Sequence, residues 1–152
     1  MAHAARALAL AALLLLAGCA AIPGTTTMTA DVEPRLAGTF SSGGTCVDAP
    51  RVGLRVTSET AEGVWTVHVA GNVTVPGAHY AIESFELSRD NSSTYRLDVN
   101  TTGDTGKPVR DCEVGGIAPY EATVELPADT PFGLQIRHDG VPQADVGSGA
   151  ES

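Results

Sequence analysis

From Val52 onward the apolar residues recur at every second position, and this alternation constrains the fold more than any other feature. Val52, Leu54 and Val56 alternate with Gly53, Arg55 and Thr57. Trp65, Val67, Val69, Val73 and Val75 share one parity, while Val64, Thr66, His68, Ala70, Asn72 and Thr74 share the other, mostly polar one. The same pattern returns in Tyr95, Leu97 and Val99, in Tyr120, Ala122, Val124 and Leu126, and in Phe132, Leu134 and Ile136. A strand turns successive side chains to opposite faces, so each run predicts a strand with one face on a core. No helical period follows residue 40. The stretch Tyr80 to Ser88 is strand-like but slips parity between Ile82 and Phe85. Gly71 interrupts an otherwise apolar parity and is read as a bulge or bend. Asp139-Gly140 between two runs is the preferred two-residue hairpin turn, because both central positions take positive φ.

A chain of 152 residues holds one ordinary domain. The expected fold is all-β: a single antiparallel sandwich of about seven strands over residues 39–146. A small β-barrel is the alternative. The spacing resembles an immunoglobulin-like domain by pattern alone. Two features depart from that family. Cys46 lies in the turn-like GGTCVDAP, and Arg110 stands two residues before Cys112, where the family's corner tyrosine would be. Trp65 is read as a core residue, within reach of a bridge if one forms.

The first segment has another character. Arg6 is its one formal charge, and residues 7–22 form an uncharged run of 16. This is short for a membrane span and suits the apolar region of a secretory signal, here an expected signal helix. Leu16-Ala17-Gly18-Cys19 resembles the lipobox of prokaryotic lipoproteins. The resemblance implies lipid transfer to the Cys19 sulfur and cleavage just before it. Residues 1–18 would then be the signal peptide, and the mature chain would begin at Cys19. The lipid would replace the lost helix as an anchor on the outer face of the cell membrane. Ordinary cleavage nearby, for instance after Ala21, is the alternative, with Cys19 discarded.

The chain has three cysteines: Cys19, Cys46 and Cys112. If Cys19 carries lipid, Cys46 and Cys112 remain, and an oxidising compartment lets them form a disulfide. Residues 19–38, rich in Thr, Pro and Gly, read as a flexible lipidated tether. About twenty extended residues reach at most on the order of 60 Å. Residues 147–152 read as a flexible tail.

Acidic residues number 18 against 9 basic, for a net charge of −9. Such a field repels phosphate backbones, so no nucleic-acid partner is expected. Lys107 is the sole lysine. Salt adaptation and high-GC codon usage both account for this bias. Together with the lipobox, it resembles small lipoproteins of extreme halophiles, and high-GC bacteria are the other candidate host.

No nucleophile elbow, phosphate loop, dinucleotide fingerprint or zincin motif occurs. No catalysis, cofactor or metal is expected. His68, His79 and His138 are not spaced as ligands and are read as surface or turn residues. The oxygen-rich stretches at 89–95 and 100–108 read as polar hairpin loops. Asn72, Asn91 and Asn100 each open an N-x-S/T sequon, an acceptor for glycosylation in a host that modifies exported asparagine. The function expected is a lipid-anchored extracytoplasmic binding or scaffolding domain, whose partner class is a surface protein or glycan. The alternatives are a structural envelope lipoprotein and an accessory subunit of a surface enzyme or transporter.

Overall fold

The computed structural model describes residues 33–91, 93–103, 105–128 and 131–147. The expected signal peptide, Cys19, most of the expected tether and the expected tail beyond Gly147 lie outside them. Nine strands and no helix are present among the described residues: β1 Arg35–Phe40, β2 Thr45–Cys46, β3 Leu54–Ala61, β4 Val64–Gly77, β5 Ala81–Asn91, β6 Thr94–Thr102, β7 Asp111–Pro127, β8 Gly133–His138 and β9 Val141–Gly147. β1 starts at Arg35, ahead of residue 39, within the stretch read from sequence as tether.

Two sheets form. The five-stranded sheet runs β1-β7-β4-β3, with β2 also on β7, and the four-stranded sheet runs β5-β6-β8-β9. All pairs are antiparallel except β6 with β8, which run parallel from Thr94↔Gly133 to Val99↔His138. The purely antiparallel expectation of about seven strands is corrected on both counts. β7 lies in the other sheet, so the chain crosses over after β6 and returns in the same direction. β1 and β2 add the strands that the alternation did not reveal.

Trp65, Val67, Val69, Val73 and Val75 of β4 are buried, as are Ala118, Tyr120, Ala122, Val124 and Leu126 of β7. They face Tyr95, Leu97 and Val99 of β6 and Leu134 and Ile136 of β8 in one core. The alternation thus puts each apolar parity inward. β4 and β7 form the central ladder, in register from Val64↔Pro127 to Val75↔Gly116. Pro119 sits inside it without a gap. Its carbonyl accepts from Ser41 N (3.2 Å) on the β1 side, so its missing N–H faces away from β4.

Gly71 is not a bulge. It pairs regularly with Leu54 and Tyr120, and the irregularity in β4 falls between Val75 and Gly77. Gly71 is required by close approach: a Cβ there would lie 2.9 Å from Gly53 O and 3.0 Å from the Tyr120 ring. The parity slip in β5 is a real irregularity, between Ile82 and Ser84. Asp139 (φ 46°) and Gly140 (φ 80°) make the expected hairpin turn. Glu62 (φ 52°) and Gly63 (φ 78°) make a second one between β3 and β4.

Gly71→Val should lower unfolding free energy by about 1–3 kcal/mol through overpacking. Gly147→Ala, where a Cβ meets nothing within 4 Å, should stay within about 0.5 kcal/mol of the parent. Urea unfolding of the two variants checks this.

Candidate functional site

Cys46 and Cys112 form a disulfide with Cα atoms 5.3 Å apart. Cys46 ends the short strand β2, which pairs with β7 at Thr45↔Ile117 and Cys46↔Gly116. The sequence placed Cys46 in a turn; the two-residue strand corrects this. Both cysteines lie in one sheet, so the bond braces neighbouring strands. It closes a loop with a sequence separation of 66, which the chain-entropy picture values at about 4 kcal/mol. Trp65 is remote from it, twelve positions from Gly77 in β4 and so roughly 35–40 Å along the strand.

Hydrogen bonds hold the segments around the bridge. Val47 N donates to Gly115 O (3.1 Å), and Ala78 N donates to Arg110 O (2.9 Å). His79 is a turn residue, as expected, but its side chain is buried, and its Nδ1 accepts from Arg110 N at 3.1 Å. Thr105 Oγ1 donates to His79 O (2.7 Å), and the Lys107 ammonium bonds Ser42 O. On this braced scaffold Val52, Val109 and Val114 are exposed by 45%, 77% and 63%.

The outer face of the five-stranded sheet is polar. Arg55, Thr57, His68, Glu121 and Thr123 line a shallow depression there. His68 is exposed, as expected, and its Nδ1 lies 3.1 Å from Thr123 Oγ1. On the other sheet Asp98 lies 2.9 Å from Arg96 Nε and 3.7 Å from Arg137 Nε. Among the described residues no group of three His, Cys, Asp or Glu side chains is arranged to hold a metal.

The three sequon asparagines stand in different settings. Asn91 is exposed in the β5–β6 hairpin, where its Oδ1 accepts from Ser93 N (2.8 Å) and Ser93 Oγ (3.1 Å). Asn72 is half-buried and its Oδ1 accepts from Gly53 N at 3.0 Å. Asn100 is half-buried, with Nδ2 donating to Ser84 Oγ at 3.3 Å. Cys19 lies outside the described residues, among which no helix is long and apolar enough to cross a membrane.

One polar pair was missed from sequence. His138 is 4% exposed, and its Nε2 lies 2.8 Å from Tyr120 Oη. The reading of His138 as a surface or turn residue is corrected: it precedes the turn, but its ring enters the core. Continuing the parity of Leu134 and Ile136 by one step points it inward. Its Nδ1 is buried without a hydrogen-bond partner. Burial pushes the Tyr120 hydroxyl up to about 12. Burial also lowers His138 below the ordinary 6.5, partly opposed by the Asp139 charge.

No known protein family, no curated protein and no solved structure matches the chain.

Because the folded protein holds His138 neutral to lower pH than the unfolded chain does, the unfolded chain binds the extra proton first. Stability should therefore be complete above pH 6.5 and fall as pH drops from there through the lowered value. His138→Gln should lose this slope, and the difference between the two pH–stability curves reads it directly. Tyr120→Phe, which strands the ring nitrogen, should cost about 1–3 kcal/mol at pH 8.

Proposed function

We propose that this chain is an exported, lipid-anchored β-sandwich that binds or scaffolds another component outside the cytoplasm. The observation that carries the reading is the Cys46–Cys112 disulfide. A disulfide persists in oxidising compartments, and this one uses both cysteines of the domain. Cys19, the third, then stands alone at the lipobox-like Leu16-Ala17-Gly18-Cys19. The lipid on Cys19 holds the domain at the outer face of the membrane, and the bridge-braced segments with Val52, Val109 and Val114 meet the partner.

The immunoglobulin-like reading is kept as two-sheet architecture only. In immunoglobulin constant domains the first, second, fifth and fourth strands share a sheet, and the disulfide of antibody domains joins the two sheets. Here the first, seventh, fourth and third strands share one, and the bridge lies within it. Of the three sequons, Asn91 is the favoured glycan acceptor. It sits on an exposed hairpin, whereas the side chain of Asn72 bonds Gly53, just ahead of β3, and that of Asn100 bonds Ser84 of β5.

Feeding host cells an alkyne-tagged lipid precursor tests the anchor. The parent protein should take up the tag and enter the detergent phase, and Cys19→Ser should take up none. Equal labelling of both would overturn the reading.

A further inference from the structure

A two-sheet protein has four edges, and an unprotected edge is a template for another strand. Three edges here are blunted. The β1/β2 edge is broken between Phe40 and Thr45. β5 carries register shifts at Ile82/Ser84 and Arg89/Asn91, and β1 closes over it, with the Phe40 and Phe85 rings 5.4 Å apart. β9 contains Pro142 and faces a register shift at Ile136/Arg137. The fourth edge, β3, pairs with β4 without a shift from Leu54↔Gly71 to Ala61↔Val64. It contains no proline, lysine or glycine.

Among the described residues no strand pairs with the other side of β3, and the hydrogen-bonding phase of that edge follows from the ladder. Asn72 N donates to Gly53 O at 2.9 Å, so Gly53 and, in step, Arg55, Thr57 and Glu59 turn their N–H and C=O groups toward β4. The groups of Leu54, Val56, Ser58 and Thr60 therefore point outward from the sheet edge. Arg55, Thr57 and Glu59 are exposed on the outer face, opposite Ala70, His68 and Thr66.

We propose that β3 pairs antiparallel with β3 of a second copy, about a two-fold axis at Thr57. In this register Leu54 faces Thr60 and Val56 faces Ser58 of the other copy. Those are the residues with free backbone groups, so every outward N–H and C=O from Leu54 to Thr60 finds a partner. Arg55 then faces Glu59 of the other copy, twice by symmetry, and Thr57 faces itself. These fall at non-hydrogen-bonded pairs, where opposite side chains come closest. Moving the axis to Val56 or Ser58 sets Arg55 and Glu59 opposite neutral residues. Moving it to Arg55 or Glu59 sets like charges face to face. Charge complementarity thus selects both the second copy as occupant and the register. The two five-stranded sheets become one continuous sheet. The inference does not depend on the anchor.

Charge reversal tests it on the full chain in detergent, by sedimentation in ~0.15 M salt, where exposed charges beyond ~8 Å are screened. The parent should be dimeric. Arg55→Glu and Glu59→Arg should each weaken the dimer about tenfold or more, since both pairs turn repulsive. Mixing the two variants should restore it, because each Glu then faces an Arg. Within one copy Arg55 and Glu59 are about 13 Å apart along the strand, so mixing cannot act inside a chain. Both substitutions are on exposed side chains, and thermal melts check that each variant stays folded. A monomeric parent at ~100 µM, a dimer indifferent to reversal, or variants that stay apart on mixing would each overturn the proposal. The first of these is the outcome expected if the chain's own tether covers the edge.

Discussion

The ladder between β4 and β7 is the constraint on which the rest of the structure depends. β4 lies between β3 and β7, and β7 carries β1, β2 and β4. Its register places Val67 opposite Val124 and Val69 opposite Ala122, so both strands deliver their apolar parity to one face. A slip of one residue would turn Trp65, Val67 and Val69 to solvent and His68 to the core. Two local features hold the register. Gly71 makes room for the Tyr120 ring, and the shift between Val75 and Gly77 ends the regular pairing where the bridge region begins.

Much of this was legible because strand periodicity is a short-range property. The buried faces of β4, β6, β8 and the second half of β7 could be read directly from alternation, as could the Asp139-Gly140 turn and the irregularity in β5. Pairing partners could not. Nothing in the alternation of Tyr95, Leu97 and Val99 says that β8 lies beside β6, or that the two run parallel, since this follows from β7 crossing to the other sheet. The first half of β7 was hidden because Gly115, Gly116 and Pro119 break the apolar pattern. β1 was hidden because Leu36 is the one residue of RLAGTF that packs on the core. The turn at Glu62-Gly63 lacks the Asn or Asp that marks such hairpins.

The candidate site was legible only in its cysteines. The 46–112 pairing could be reasoned from an odd count, but not the fact that it braces neighbouring strands of one sheet. His138 shows a different kind of loss. A histidine beside a turn is ordinarily solvated, and only Tyr120, far off in sequence, gives its ring a partner in the core. The outer face shares the strands' period of two, but alternation does not say which outer residues become neighbours, so the depression around His68 emerges only from the pairing of β3, β4 and β7.

The proposed function joins a disulfide-braced domain to a lipid anchor at Cys19. The most direct measurement of that claim is the intact mass of the protein taken from host membranes, with and without reductant. The expected result is a chain that begins at Cys19, carries lipid, and gains one pair of hydrogen atoms on reduction. A chain that retains residues 1–18, or one that lacks lipid, would contradict the anchor. A mass unchanged by reductant would contradict the bridge.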